Sequence, residues 1–496
     1  MDMVKTKLFD GCDLNAFFID GAWAKPSSTG RIDIINPATE DVFFSVPAAQ
    51  ESDLNAAVAA ARRAFDRGAW PRLAPAERAK YLFAIAERVK DRQGAIAEVW
   101  SKQTGVTRTG ASLFLDMVPD QIADYGRMAE TFAFEEAYRG TGAGAITLLA
   151  YEPVGVVAAI IPWNAPMTQI AFKVAPALLA GCSVVLKASP EAPGEAYIFA
   201  AICREVGLPE GVFNLITAHR EVSELLVRHP GVDKVTFTGS SAVGKRIGAL
   251  CGERVARCTL ELGGKSAAVI CDDFDVEEAA SIVAGVAPLL TGQVCASLTR
   301  LLISEKRHDR FVEALDAKFR EIKVGDPTDV SVEMGPLATA SQRARVEGYI
   351  ARGIEGGARL ASGGRRPAHL ERGFFVEPTI FGNVAPSAVI AREEIFGPVV
   401  SVIPFGSEEE GIEMANDSPF GLNASVFTND VERAYAAARR LRSGTVGQNG
   451  FKLDFKVSFG GFKESGIGRE CGTEGLRAFL EPKTIVLADI PRHHRR

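Results

Sequence analysis

The chain has 496 residues, 47% hydrophobic and 24% charged, enough for two or three globular units without a disulfide or metal staple. This composition excludes wholesale disorder, collagen-like repeats and low-complexity scaffolding. With 56 basic against 62 acidic residues the net charge is −6, so there is no positive field to hold a polyphosphate backbone, and nucleic acid is not expected as a partner. Eight cysteines are scattered without a CxxC pair or a nearby histidine cluster, so neither a metal site nor a disulfide framework is expected. Residues 1–14 mix lysines and aspartates with no apolar run, which does not suggest a signal peptide and makes the cytoplasm the expected compartment.

In chain order, residues 51–102 place Leu54, Val58, Ala61 and Phe65 on one helical face, then Leu82, Ile85, Ala86 and Val89 on another after Pro75, predicting two outer helices. A further helix ends near Ala133. The uncharged segment 141–151 then reads as a β arm seeking a partner edge, with 483–489 as its candidate partner. From Tyr151 onward the pattern becomes short aliphatic runs at 154–161, 183–186, 212–216 and 234–238 separated by helices, the signature of a parallel sheet covered on both faces. A second alternation, with strands at 267–271, 301–304, 399–404 and 424–427 and a helix over 307–322, predicts a second α/β domain. Two windows, 153–172 and 279–299, carry no Asp, Glu, Lys or Arg and are long enough to span a bilayer. Pro162 and Pro166 interrupt the first and Gly285, Pro288 and Gly292 the second, so both read as buried strand, turn and helix and no membrane association is expected.

Three segments carry chemistry. Gly239-Ser240-Ser241-Ala242-Val243-Gly244-Lys245-Arg246 runs from a strand into a helix and aims backbone amides at an anion. It approaches the phosphate-binding pattern GxxxxGK[ST], but Arg246 stands where the magnesium-holding hydroxyl should be. Glu261-Leu262-Gly263-Gly264-Lys265 ends another strand and offers a carboxylate that could act as a base, while Cys295 lies in the second uncharged window, where burial alone would make a thiol inert. Pro162-Trp163-Asn164 follows the first apolar strand, where a crevice is expected. Its carboxamide can donate to an oxyanion, and Lys187 ends the next strand.

Together with Lys173 and Pro176, Phe237-Thr238-Gly239-Ser240, Gly292-Gln293-Val294-Cys295, Glu394-Ile395-Phe396-Gly397-Pro398 and the run 459–466, these motifs resemble the NAD(P)-dependent aldehyde dehydrogenase superfamily from end to end. The resemblance implies an aldehyde dehydrogenase-like α/β fold: a Rossmann-type dinucleotide-binding domain (1–129 and 152–262), an α/β catalytic domain (263–464), and an oligomerisation arm with the C-terminal segment (130–151 and 465–496) that joins subunits into a homodimer or homotetramer. It further implies that Cys295 is the nucleophile, that Asn164 and the Cys295 N–H hold the oxyanion, that Glu261 is the base, and that Lys173 serves a cofactor or relay role. Cofactor positions carried over are Ile160, Pro162, Trp163, Lys187, Gly239, Ser240, Gly244, Leu262, Glu394 and Phe396.

NAD is the expected cofactor. NADP stays open because Pro190 replaces a glutamate common in relatives, with Glu191 one step later and Arg220 nearby. Ala165 and the residues Phe114, Met117, Met167, Phe172, Phe451, Phe455 and Phe459 suggest a wide apolar tunnel for a sizeable hydrophobic or aromatic aldehyde. The alternatives are a CoA-acylating or semialdehyde dehydrogenase of the same fold, disfavoured by Glu261, and a catalytically silent structural relative, disfavoured by the complete set Cys295, Glu261 and Asn164.

Overall fold

The computed structural model describes residues 7–140 and 144–494. Five parallel strands form the heart of an eight-stranded sheet, in the order Arg257–Glu261, Lys234–Thr238, Val156–Ile160, Ser183–Ala188, Phe213–Thr217. Every residue of the middle three is buried, as continuous aliphatic runs between two helical layers require. The strand beginning at Val156 is shorter than the 154–161 expected because Gly155 (φ +131°) turns the chain: a Cβ there would lie 1.8 Å from the Asp233 carboxylate, which instead accepts the Val156 N–H at 2.7 Å.

Both edges of this sheet are closed by short antiparallel strands from distant sequence. Phe17–Ile19, followed by Ala22–Ala24, lies beside Phe213–Thr217, and Gly466–Ile467 lies beside Arg257–Glu261. A second, seven-stranded sheet is parallel apart from its Arg359–Ser362 edge, and centres on Ser266–Ile270, Leu298–Ser304 and Val399–Phe405. The helix foreseen at 307–322 is Glu305–Glu321.

The two outer helices expected over 51–102 are three: Glu51–Asp66, Pro75–Asp91 and Gln93–Thr104. The apolar spacing runs on through the break, but Arg92 leaves helical geometry (φ −104°, ψ 7°) and so separates the last two.

The arm is a three-stranded antiparallel sheet. Its central strand Ile146–Pro153 pairs with Glu135–Arg139 on one side and with Leu480–Leu487 on the other, in register from Leu480 opposite Pro153 to Leu487 opposite Ile146. The expected arm 141–151 thus begins later and runs further, and residues 141–143 lie outside the described residues. Among the described residues no helix is long and apolar enough to cross a membrane.

Candidate active site

The carboxyl ends of the parallel strands open onto a cavity of about 970 Å³ whose lining includes Ile160, Pro162, Trp163, Lys187, Gly239 and Ser240. Ser240 caps the thirteen-residue helix Ser241–Glu253 by accepting the Val243 N–H, and the rest of this helix's N-terminal turn borders the cavity with its positive dipole end. Gly239 is demanded sterically, since a Cβ would sit 2.4 Å from the Phe237 ring. Burial pushes Lys187 down to about 8, against the pull of Glu191.

Gly244 and Leu262 stand behind this wall: a Cβ on Gly244 would meet Leu262 Cδ2 at 2.2 Å, so the pair lets helix and strand pack closely. Glu394 and Phe396 sit further along. Glu394 accepts the Gly264 N–H at 3.0 Å, its carboxyl raised chiefly by burial, and the Phe396 ring meets Trp163 edge-on at 5.5 Å.

Glu261 ends its strand buried, with neither carboxylate oxygen hydrogen-bonded. Burial first, and then the negative charge of Glu470, hold its carboxyl well above the usual range, with Lys173 opposing. Cys295 arrives from the second sheet's side on a constrained loop. Leu290, Thr291 and Gly292 are consecutively left-handed (φ 47°, 56° and 70°), a conformation that costs a β-branched residue such as Thr291 about 1–3 kcal/mol. The Thr291 hydroxyl is tied to the Gly335 carbonyl at 3.1 Å, and a Cβ on Gly292 would lie 2.4 Å from Gly397. A Cβ on Gly264 would come within 2.3 Å of the Cys295 carbonyl, so this glycine lets the Glu261 and Cys295 segments touch, as Gly292 does for the Cys295 loop and Gly397. Burial, followed by the charges of Glu261 and Glu394, pushes the Cys295 thiol up.

Asn164 completes the site. Its Nδ2 donates to the Gln293 carbonyl at 2.9 Å, two residues before Cys295, while Gln293's own side chain accepts the Ala338 N–H at 3.0 Å and donates to the Leu290 carbonyl at 2.9 Å. One amide hydrogen of Asn164 is thereby anchored, and the second remains for an oxyanion. The three groups, joined through the Cys295 loop, can supply a thiol nucleophile, an unpartnered carboxyl base and an amide donor.

The sequence profile of the aldehyde dehydrogenase family matches residues 23–485. The chain belongs to this family. It is 42% identical to a geranial dehydrogenase of Castellaniella defragrans over 96% of this chain and 99% of that one. It is 40% identical to a chloroplastic betaine aldehyde dehydrogenase of Amaranthus hypochondriacus over 95% of each. Among solved structures, a Mycobacterium tuberculosis aldehyde dehydrogenase complexed with NAD+ superposes with a TM-score of 0.93 at 42% identity, covering 95% of this chain and 98% of that one.

Lys173 stands apart from the open cleft. It is wholly enclosed, with Nζ donating to Gln169 Oε1 (2.7 Å), Thr238 Oγ1 (2.6 Å) and Glu470 Oε1 (2.6 Å). Glu470, which the sequence reading did not single out, is thus part of the electrostatic surroundings of Glu261, and no local motif signals it because its partner is 297 positions away. Of the expected tunnel residues, Met167, Phe172 and Phe459 are buried, whereas Phe114 and Phe451 pack partly exposed against the same apolar cluster as Cys295 and Ala165. Phe455 lies 4.8 Å from the Phe172 ring and 5.4 Å from that of Phe459.

Proposed function

We propose that this enzyme oxidises a sizeable hydrophobic or aromatic aldehyde to the free carboxylic acid with NAD. The observation that carries the free-acid reading is Glu261, a buried carboxylate with both oxygens unpartnered beside the Cys295 loop. In this reading Cys295 passes its proton to solvent and its thiolate adds to the aldehyde carbon, while the carbonyl electron pair moves to oxygen between the Asn164 amide and the Cys295 N–H. When bound, NAD supplies the hydride acceptor. Glu261 then takes a proton from water, which attacks the Cys295 thioester and releases the acid and the thiolate.

The residues present fit a dinucleotide: the cavity runs from Lys187 and Glu191 past the open N-terminus of Ser241–Glu253 to Trp163. Lys187 would hold ribose hydroxyls, and Glu394 and Phe396 would border the nicotinamide end. Glu191 lines the cavity and accepts from the Ser189 hydroxyl, so a carboxylate is restored one residue after the expected position. Arg246 is neutralised by Glu224 at 2.9 Å. The restored carboxylate and the paired Arg246 favour NAD over a 2′-phosphorylated cofactor, against Arg220, which also lines the cavity.

The lining supports an apolar substrate. Phe451, Leu453 and Phe455 turn inward in alternation with exposed Lys452, Asp454 and Lys456. The inward set of this segment is apolar, which favours a hydrophobic aldehyde such as geranial. Steady-state rates with decanal, benzaldehyde, acetaldehyde and betaine aldehyde test this, each with NAD and NADP and with and without coenzyme A. The expected order of kcat/KM puts decanal or benzaldehyde first, with NAD preferred and no dependence on coenzyme A. Parity with acetaldehyde, or a requirement for coenzyme A, overturns it.

The sheets favour the division at 1–129 with 152–262 (cofactor domain), 263–464 (catalytic domain), and 130–151 with 465–496 (arm and C-terminal segment), although Gly466–Ile467 joins the cofactor sheet. The exposed Tyr138 and Val486 on the arm suit subunit association in a homodimer or homotetramer.

A further inference from the structure

The turn that carries Asn164 is weakly held by its own sequence. Ala165 occupies the N-cap of the helix Pro166–Ala180 with non-helical angles (φ −148°, ψ 62°) and has no side chain able to cap, and Pro166 brings no N–H. The constraint comes from the neighbouring helix Gln93–Thr104. Trp100, 1% exposed, donates its indole Nε1–H to the Asn164 carbonyl at 3.1 Å and rests edge-on against Phe114 at 6.2 Å. One turn later Gln103 donates to the buried Glu195 Oε2 at 3.0 Å and accepts the Gly194 N–H at 3.1 Å, which ties this helix to the one beginning at Gly194. The helix therefore braces the turn at Asn164, immediately before Ala165-Pro166.

We propose that Trp100 is a positioning residue for the oxyanion-holding amide: its N–H fixes the Asn164 peptide plane, and with it the aim of the Asn164 carboxamide. This rests on the reading of Asn164 as the oxyanion donor. Asn164 Nδ2 is anchored at its other end by the Gln293 carbonyl, so the side chain spans two fixed points, the indole on the helix side and the cysteine loop on the other. Release of the first lets the carboxamide tilt away from the developing charge while leaving the apolar tunnel and the cofactor cavity intact. Its effect falls on turnover, because the interaction strengthens only as the oxyanion forms.

The test is a double-mutant cycle on the full-length enzyme with decanal and NAD: parent, Trp100→Phe, Asn164→Ala and the double variant. Trp100→Phe keeps an aromatic ring, though a smaller one, removes the N–H, and is expected to lower kcat about tenfold while KM for decanal moves less than about twofold. Asn164→Ala is expected to lower kcat about a hundredfold, and adding Trp100→Phe to it should cost nothing more, because the indole acts through that amide. An unchanged kcat in Trp100→Phe, a shift in KM instead of kcat, or fully additive losses in the double variant overturns the proposal. If Asn164→Ala itself turns over normally, the oxyanion reading fails and the proposal with it, a result separable from failure of Trp100 alone. Should Trp100→Phe not fold, Trp100→Tyr, which also lacks an N–H at that point, replaces it in the same cycle.

Discussion

Two buried glutamates lie close together in this site and are treated in opposite ways. Glu470 is 3% exposed, and one of its oxygens receives Lys173 at 2.6 Å and the Thr236 hydroxyl at 3.4 Å. Glu261, 2% exposed, has no hydrogen-bond partner at either oxygen, and its carboxyl is raised by burial and by Glu470 itself. A buried carboxylate that is matched by a cation is a structural element. One left bare is a stored demand for a proton, and it is the bare one that stands beside the Cys295 loop. The fold thus ties Glu470 to Lys173 and leaves Glu261 without a hydrogen-bond partner.

The contrast can be broken from the nucleophile outward. Cys295→Ala should abolish decanal oxidation by at least ~10³-fold while the protein stays folded by circular dichroism, since Glu261 then has no thioester to resolve. Glu261→Gln should lower kcat about 10²-fold and leave an acyl-enzyme visible as added mass on Cys295, because only the hydrolytic base is lost. The parent's turnover should rise with pH through the elevated carboxyl pKa, and the glutamine variant should lose that rise. Glu470→Gln should act chiefly on stability, by about 3 kcal/mol in denaturant unfolding, by leaving the enclosed Lys173 ammonium uncompensated. The last effect is a pH-dependent stability gain in Glu261→Gln, smallest near pH 4.

That last sign follows from linkage. The folded carboxyl of Glu261 holds its proton to higher pH than the unfolded one, so its contribution to stability is complete below the unfolded pKa of about 4.3 and declines as pH rises. Glu261→Gln should therefore match the parent near pH 4 and exceed it increasingly at higher pH, by up to ~1.4 kcal/mol per pH unit between the two pKa values. Parallel unfolding curves for the two proteins at every pH would show that Glu261 is in fact paired.

Strands with strong aliphatic patterning were legible: Lys234–Thr238 forms where the pattern puts it, and Ser183–Ala188 and Asn423–Phe427 differ by a residue or two at their ends. The edge strands Phe17–Ile19 and Gly466–Ile467 were not, because two or three residues carry no period and their partners, Phe213–Thr217 and Arg257–Glu261, are roughly two hundred residues away. The left-handed run Leu290-Thr291-Gly292 was equally hidden, since nothing in a leucine or a threonine announces a positive φ that only the surrounding packing imposes.

What the sequence by itself determined is the chemistry available: a thiol, a carboxylate and a carboxamide in family motifs, with glycines placed where backbones must touch. Which carboxylate is paired and which is bare, that Lys173 is enclosed, and that Trp100 grips the Asn164 turn were decided only in three dimensions. Those contacts join residues 297 and 64 positions apart, and burial sets both the proton affinity of a carboxylate and the aim of an amide through neighbours that no local pattern encodes.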